Sequence, residues 1–250
     1  MLINKKTGQP IRPHLAPSVP SSTVAFASKR GVRGTPAPEE SSPAYLQQVY
    51  DLSALSAHAG AKDTVAVVDS YWDATANSDL EVYRRHYNLP PCTLLDGCFR
   101  EVNQAGGTAA LSVCKPTPTE NCRPQETSLD IEAVSALCPL CHILLVQASS
   151  SNYVVILPAE KEADALGANQ ISNSFGGPLS GNPEGEEGLL DSQFSFPGVA
   201  TVAASGDHFY LGNAVNTYPA AFPGVTAVGG TSLDSIIEKT LQVRGWDEAV

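Results

Sequence analysis

The chain has 250 residues, 42% of them hydrophobic and 16% charged, and a formal net charge of −11. That length suits one large α/β domain or two small ones, with a sizeable core. The acidity argues against a nucleic-acid partner, and no apolar run approaches the roughly 20 residues of a membrane span.

The charge is unevenly placed. Residues 1–44 carry six Lys/Arg and two Glu, leaving nine bases and 24 acids in residues 45–250. The first segment also holds Pro10, Pro13, Pro17, Pro20, Pro36, Pro38 and Pro43 without sustained periodicity. That is the composition of a linker or a disordered tail. Asn4-Lys5-Lys6 could open a signal peptide, but no apolar core follows it. An acidic globule tolerates low pH, because protonating its carboxylates relieves self-repulsion; a simple gain in solubility is the plainer reading.

From Ala44 the pattern becomes structural. Tyr45–Leu52 reads as a short helix and Thr64–Val68 as a buried strand ending at Asp69. Asn77-Ser78-Asp79 offers an N-cap for a helix through Tyr87, which Leu89-Pro90-Pro91 stops. Glu126–Leu137 reads as a helix, with Pro124 before it and an apolar stripe of Leu129, Ile131, Val134 and Leu137. The continuous run Ile143-Leu144-Leu145-Val146 is what a strand covered on both faces requires. A helix around Glu160–Leu166 and strands at Gln170–Ser174, Val199–Ala204 and Val225–Val228 follow. Strands alternating with helices predict a mostly parallel sheet with helices on both faces, in one α/β domain over residues 45–250.

Six cysteines fall into three close pairs: Cys92/Cys98, Cys114/Cys122 and Cys138/Cys141. Sequential pairing would staple three small loops and suits an oxidising compartment, although sequence alone does not fix connectivity. Cys138-Pro139-Leu140-Cys141-His142 also matches zinc, redox and haem-attachment spacings. A redox CxxC follows a strand and opens a helix, the reverse of the order here, a haem would have no room at a helix-to-strand junction, and zinc would need a fourth ligand.

Three later motifs converge on the central helix. On that helix Glu126 and Asp130 stand four residues apart, about 5–6 Å between Cβ atoms, where like charges repel. Ser172-Asn173-Ser174-Phe175-Gly176 is a strand opening into a Gly-rich turn where substrate backbone could pair. Val199–Ala204 is a buried strand that delivers Asp207 at its C-terminal end, the edge at which open α/β sheets bind ligands. Tyr218-Pro219-Ala220 and Val225–Thr231 form a third strand with its loop.

In order and spacing these stretches resemble the sedolisin family of serine-carboxyl peptidases, especially its bacterial secreted branch. The likeness rests on Ala44–Leu52, Thr64–Asp69, Glu126–Ser150, Ile171–Gly177, Val199–Asp207 and Tyr218–Leu233. The resemblance implies a subtilisin-like fold, incomplete at the C-terminus, and an acid-acting endopeptidase on protein or peptide substrates. It implies that Glu126 is the general base, Asp130 the acid that orients it, and Asp207 the donor to the oxyanion. A secreted monomer is implied, with no nucleic-acid or membrane partner. Calcium belongs to the complete family domain, with ligands outside this chain and no metal site within it.

The chemistry of that set is self-consistent. Histidine, with a reference pKa of about 6.5, is mostly charged in acid and cannot serve as a base there, whereas a carboxylate near pKa 4.3 remains partly ionised. An aspartate that donates to an oxyanion must itself be protonated. The subtilisin triad proper would pair a strand-end Asp such as Asp69 with a His in a His-Gly-Thr context. None of His14, His58, His86, His142 and His208 has that context, so Asp69 reads as a structural residue.

The family nucleophile sits in Gly-Thr-Ser-Ala-x-x-Pro. Gly230-Thr231-Ser232 begins like it but continues Leu233-Asp234-Ser235, so Ser232 is a decoy in a strand and the nucleophile is expected beyond Val250. The chain alone is therefore expected to be inactive. The alternative is a truncated or degenerate homologue, at most a weak peptide binder.

Overall fold

The protein is described here by a computed structural model covering residues 42–111, 124–177, 190–206, 217–237 and 240–245. Within it lie two compact units: an α/β body ending at Gly230 and a separate hairpin. Asp207, Cys114, Cys122 and the N-terminal tail through Ser41 lie outside the described residues.

The body is built on a parallel sheet of six strands: β1 (Thr64–Ser70), β2 (Phe99–Asn103), β3 (His142–Ala148), β4 (Gln170–Asn173), β5 (Ala200–Ala204) and β6 (Thr226–Val228). Their spatial order is β2-β3-β1-β4-β5-β6, with Val67 opposite Leu145 on one side and Ser172 on the other. Interior strands β1 and β3 are the apolar runs read from sequence, and Ala66, Val67, Val68, Ile143, Leu144, Leu145 and Val146 are fully buried. An all-parallel sheet needs cover on both faces, which explains why these runs do not alternate.

The helices are α1 (Pro43–Val49), α2 (Ser53–Ser56), α3 (Ala76–His86), α4 (Pro124–Leu137) and α5 (Tyr153–Ala165). Leu80 of α3 and Ile131 of α4 pack on Val67, Phe99, Ile143 and Leu145, so both helices share one face. Ile156, Ala159 and Ala163 of α5 pack on Ala66, Val68, Leu144, Val146 and Ile171, the other face. The chain moves in opposite directions from β1 to β2 and from β2 to β3, yet both connections cross the same face. One of the two crossovers must therefore have the rarer left hand. The β3-to-β4 step moves the same way as β2-to-β3 but over the opposite face, which marks the α4 crossover as the exception. Its consequence is functional: the first turn of α4 lies at the C-terminal edge of the sheet, above the ends of β1 and β4.

Several polar contacts hold α4 there. Gln47 Nε2 donates to the Ala136 carbonyl at 2.6 Å and Ser56 Oγ to the Leu137 carbonyl at 2.6 Å. These satisfy acceptors that a helix end leaves unpaired. Arg84 of α3 is buried and donates to Pro90 O at 2.6 Å, Ser135 Oγ at 2.7 Å and Pro139 O at 2.7 Å. It thus ties α3 to both ends of the α4–β3 junction, and burial lowers its guanidinium pKa. Arg84→Ala removes all three bonds and leaves a void. The expected cost is about 3 kcal/mol or more in urea unfolding, and a change under about 0.5 kcal/mol would show that the contacts carry no net stability.

Two disulfides are present among the described residues, Cys92–Cys98 and Cys138–Cys141, both in the sequential scheme. The second closes the turn between α4 and β3, against Gly60, where an added Cβ would stand 2.3 Å from Cys138 Sγ.

Three elements differ from the sequence reading. Helix α5 begins at Tyr153, well before the expected Glu160, and contains Pro158. Asn152 caps it through a bond from Val154 N at 2.9 Å, and its buried face outweighs the one backbone bond that proline removes. Strand β2 went unread because Phe99-Arg100-Glu101 breaks the apolar pattern; it is a sheet edge, and Arg100 is exposed. The third is the hairpin of β7 (Thr231–Ile237) and β8 (Thr240–Gly245), antiparallel, with Ser232 paired to Arg244.

Candidate active site

Strand alternation decides which side chains meet. Asp69 has the parity of Val67, and Ser174 that of Ser172, so both face α4; Ile171 and Asn173 face α5. Helix α4 presents Glu126 and Asp130 to that same edge, one turn apart. The sheet and the helix together gather Asp69, Glu126, Asp130 and Ser174 into one group at the C-terminal edge.

The electrostatics of the group follow from burial. Asp69 is buried at 5% exposure, and its pKa rises from the ordinary 3.8 to about 8. Burial is the main cause, followed by the negative charge of Asp130; a hydrogen bond from Thr127 partly offsets them, and Glu126 and Asp73 add smaller increases. Asp130 rises to about 7, again through burial first, opposed by a hydrogen bond from Ser174, with Glu126 adding a further increase. Oδ2 of each aspartate is buried without a hydrogen-bond partner among the described residues, as suits an acid that keeps its proton. Glu126 is half-buried in the first turn of α4, where the helix dipole favours an anion.

A second chain of polar contacts flanks this group. Gln147 is fully buried, donates through Nε2 to Glu101 at 2.7 Å and accepts from Asp73 N at 2.5 Å. Asp73 in turn accepts from Thr75 N and Oγ1, each at 2.9 Å, and from Ser128 Oγ of α4 at 3.4 Å. The loop after β1 is thereby fastened to the first turn of α4.

Beyond Asn173 both ladders of β4 end, with Val68 and Ala203 as its last partners. Ser174, Phe175 and Gly176 continue to an antiparallel bridge between Gly177 and Tyr218. Gly176 is required by close approach: an added Cβ would lie 2.6 Å from Thr217 Cγ2 and 3.2 Å from Tyr218 O. A cavity of about 270 Å³ opens beside this segment, lined by Ser172, Asn173, Ser174, Ala204, Gly206 and Gly229. Of the five residues expected to bind substrate, Ser172, Ser174 and Phe175 are half-buried and Gly176 is exposed, whereas the Asn173 side chain is buried.

The structure therefore brings Glu126 and Asp130 together with Ser174 and adds Asp69, which sequence reasoning had set aside as structural. The signal that could have found it was available: a carboxylate at the C-terminal end of a buried parallel strand. Thr127, buried between Glu126 and Ser128, had no sequence signal beyond its neighbours. Among the described residues no group of three or more His, Cys, Asp or Glu is placed to hold a metal ion.

No protein-family model and no curated protein matches the chain. Solved structures do. Pseudomonas sedolisin, a serine-carboxyl proteinase complexed with two molecules of pseudo-iodotyrostatin, aligns over 83% of this chain and 63% of its own, at 17% identity and TM-score 0.58. The chain thus spans under two thirds of that protein. A lanthipeptide protease aligns over 79% of this chain and 55% of its own, at 16% identity and TM-score 0.46. The epidermin leader peptide processing serine protease of Staphylococcus aureus aligns over 68% and 47%, at 15% identity and TM-score 0.44. At such identities the likeness concerns the fold, and the sedolisin alignment carries it. The α/β body of this chain has a subtilisin-like fold, with a mostly parallel sheet between helices.

Proposed function

We propose that the protein carrying this chain is an acid-acting endopeptidase of the sedolisin type, with Glu126 as general base and Asp130 as its orienter. The observation that supports it is the grouping of Glu126, Asp130 and Asp69 at the sheet edge, with both aspartates pushed up to about 7 and about 8. In acid the two aspartates are neutral, which leaves Glu126, the member in the first turn of α4, to take the part of the base. Glu126 then accepts the proton of a serine hydroxyl as that oxygen attacks the peptide carbonyl carbon, and returns it to the departing amine. Neutral Asp130, one turn along α4 from Glu126, is assigned the role of orienting that carboxylate. Asp130 in turn helps to keep Asp69 protonated, because two neighbouring carboxylates resist ionising together.

In this reading Asp207, three residues after β5 (Ala200–Ala204), donates to the oxyanion, and Ser174–Gly176 receives the substrate backbone as an added strand. None of the described residues is assigned as nucleophile. The paired cysteines suit an oxidising compartment, and we propose a secreted protein. The decisive experiment measures cleavage of an acid-denatured protein at about pH 3–5 by the protein that carries this chain and by its Glu126→Ala variant. Peptide binding without cleavage would favour the non-catalytic homologue.

A further inference from the structure

Helix α5 (Tyr153–Ala165) does more than cover the back of the sheet. Tyr153 and Glu160 stand seven residues apart, two helical turns, and therefore on one face about 10 Å apart along the axis. Both reach the ends of a single segment. The Tyr153 hydroxyl lies between the carbonyls of Gly177, at 3.1 Å, and Tyr218. It thus clamps the bridge that closes Ser174–Gly176 at its far end. At the near end Glu160, at 0% exposure, faces Asn173, at 2% exposure, the last paired residue of β4.

The Glu160–Asn173 contact is unusual for a core. Both Glu160 oxygens, and the amide oxygen and nitrogen of Asn173, are buried without a formed hydrogen bond among the described residues. Buried polar groups in that condition are costly and call for a reason. Among the described residues no charged group is a cause of the Glu160 shift, and the α5-facing side chains of the sheet are Leu144, Val146 and Ala148 of β3, Ala66 and Val68 of β1, and Ile171 of β4, with Asn173 beside them. The pKa of Glu160 rises to about 8 through burial, with Asn173 as its one opposing influence, so in acid it is a neutral donor and acceptor beside the Asn173 amide.

We propose that Tyr153 and Glu160 are positioning residues: from α5 they brace the two ends of Ser174–Gly176, and so set the strand that receives substrate and the Ser174 hydroxyl that bonds Asp130. The inference rests on the peptidase reading for its functional half and on the fold for its mechanical half. An extended segment from Asn173 to Gly177 spans roughly 13 Å, close to the separation of the two braces, so neither alone fixes the segment.

The test is amide hydrogen exchange across the full 250-residue chain, with cleavage kinetics measured on the protein that carries it. Glu160→Leu and Tyr153→Phe are expected to speed exchange at Phe175 and Gly176 about 10-fold or more while β1 and β3 keep their protection. Glu160→Gln, which preserves a neutral donor and acceptor, is expected to exchange at the unaltered rate. Raising the pH through about 8 should loosen the segment in the unaltered chain but not in Glu160→Gln. Cleavage by Tyr153→Phe is expected to show a raised KM with kcat little changed. Unaltered exchange at Phe175 and Gly176 in both disrupting variants, or a rise shared equally by β1 and β3, overturns the brace. Exchange as expected in a protein that cleaves nothing keeps the brace and removes the peptidase reading. Cleavage by Tyr153→Phe and Glu160→Leu at unchanged KM keeps the peptidase reading and removes the brace.

Discussion

Stability of this chain is expected to fall as the pH rises from about 4 to 8, the reverse of ordinary acid denaturation. Asp69 and Asp130 titrate at about 8 and about 7 in the folded protein rather than near 3.8, and Glu160 at about 8 rather than near 4.5. Within that window the native state holds protons that the unfolded chain releases. The contribution of each group is whole below its unfolded pKa, shrinks as the pH climbs, and is gone above its folded pKa. Each group adds a slope of about 1.4 kcal/mol per pH unit while it lies between the two. Urea unfolding at several pH values across the window reads this directly. Asp69→Asn and Glu160→Gln are each expected to flatten the slope and to stabilise the chain at pH 8. A stability that rises through the window would mean that these carboxyls are ionised when folded, and the proton-sharing account of the site would have to go.

The second large effect concerns catalysis. In the protein that carries this chain, Glu126→Ala is expected to lower the rate of acid proteolysis by about 10⁴-fold or more, because members of a concerted group fail as a unit. Asp130→Asn keeps the shape but removes the acid that steadies the base, and a loss of about 10²-fold is expected. Activity should decline as the pH passes about 7, where Asp130 loses its proton. Asp69→Asn should leave that decline near pH 7, because Asp69, raised to about 8, is itself still neutral where Asp130 titrates. The measurement is kcat/KM against pH for the four proteins. Full activity in Glu126→Ala would place the base elsewhere.

The two effects have one origin. Burying carboxyls at a sheet edge raises their proton affinity, which favours the folded state in acid and leaves one carboxylate free to act there. On the proposed reading, the protonation that favours the folded state in acid is also the protonation in which Glu126 would act. The same burial explains why Glu160, on the opposite face, follows the same pH dependence without touching the reacting groups.

The sequence by itself determined the buried strands, the parallel sheet and the placing of Glu126 and Asp130 on one helix. Those features are local: unbroken apolar runs such as Ile143–Val146, and carboxylates one turn apart on α4. It also marked Ser174–Gly176 as a segment to watch, through a strand that opens into glycines. Only the tertiary structure decided that Asp69 joins the pair, because that depends on the crossover bringing α4 over the end of β1. It alone showed that Asn173 turns away from the Ser174 face, since strand parity has meaning only once the faces are occupied. The reach of α5 to both ends of Ser174–Gly176 was hidden for the same reason. Tyr153 and Glu160 are a helix spacing in sequence, and become a brace only when β4 and the Gly177–Tyr218 bridge lie beneath them. Periodicity tells which face of an element is buried; what that face meets is fixed by long-range contacts that no local pattern carries.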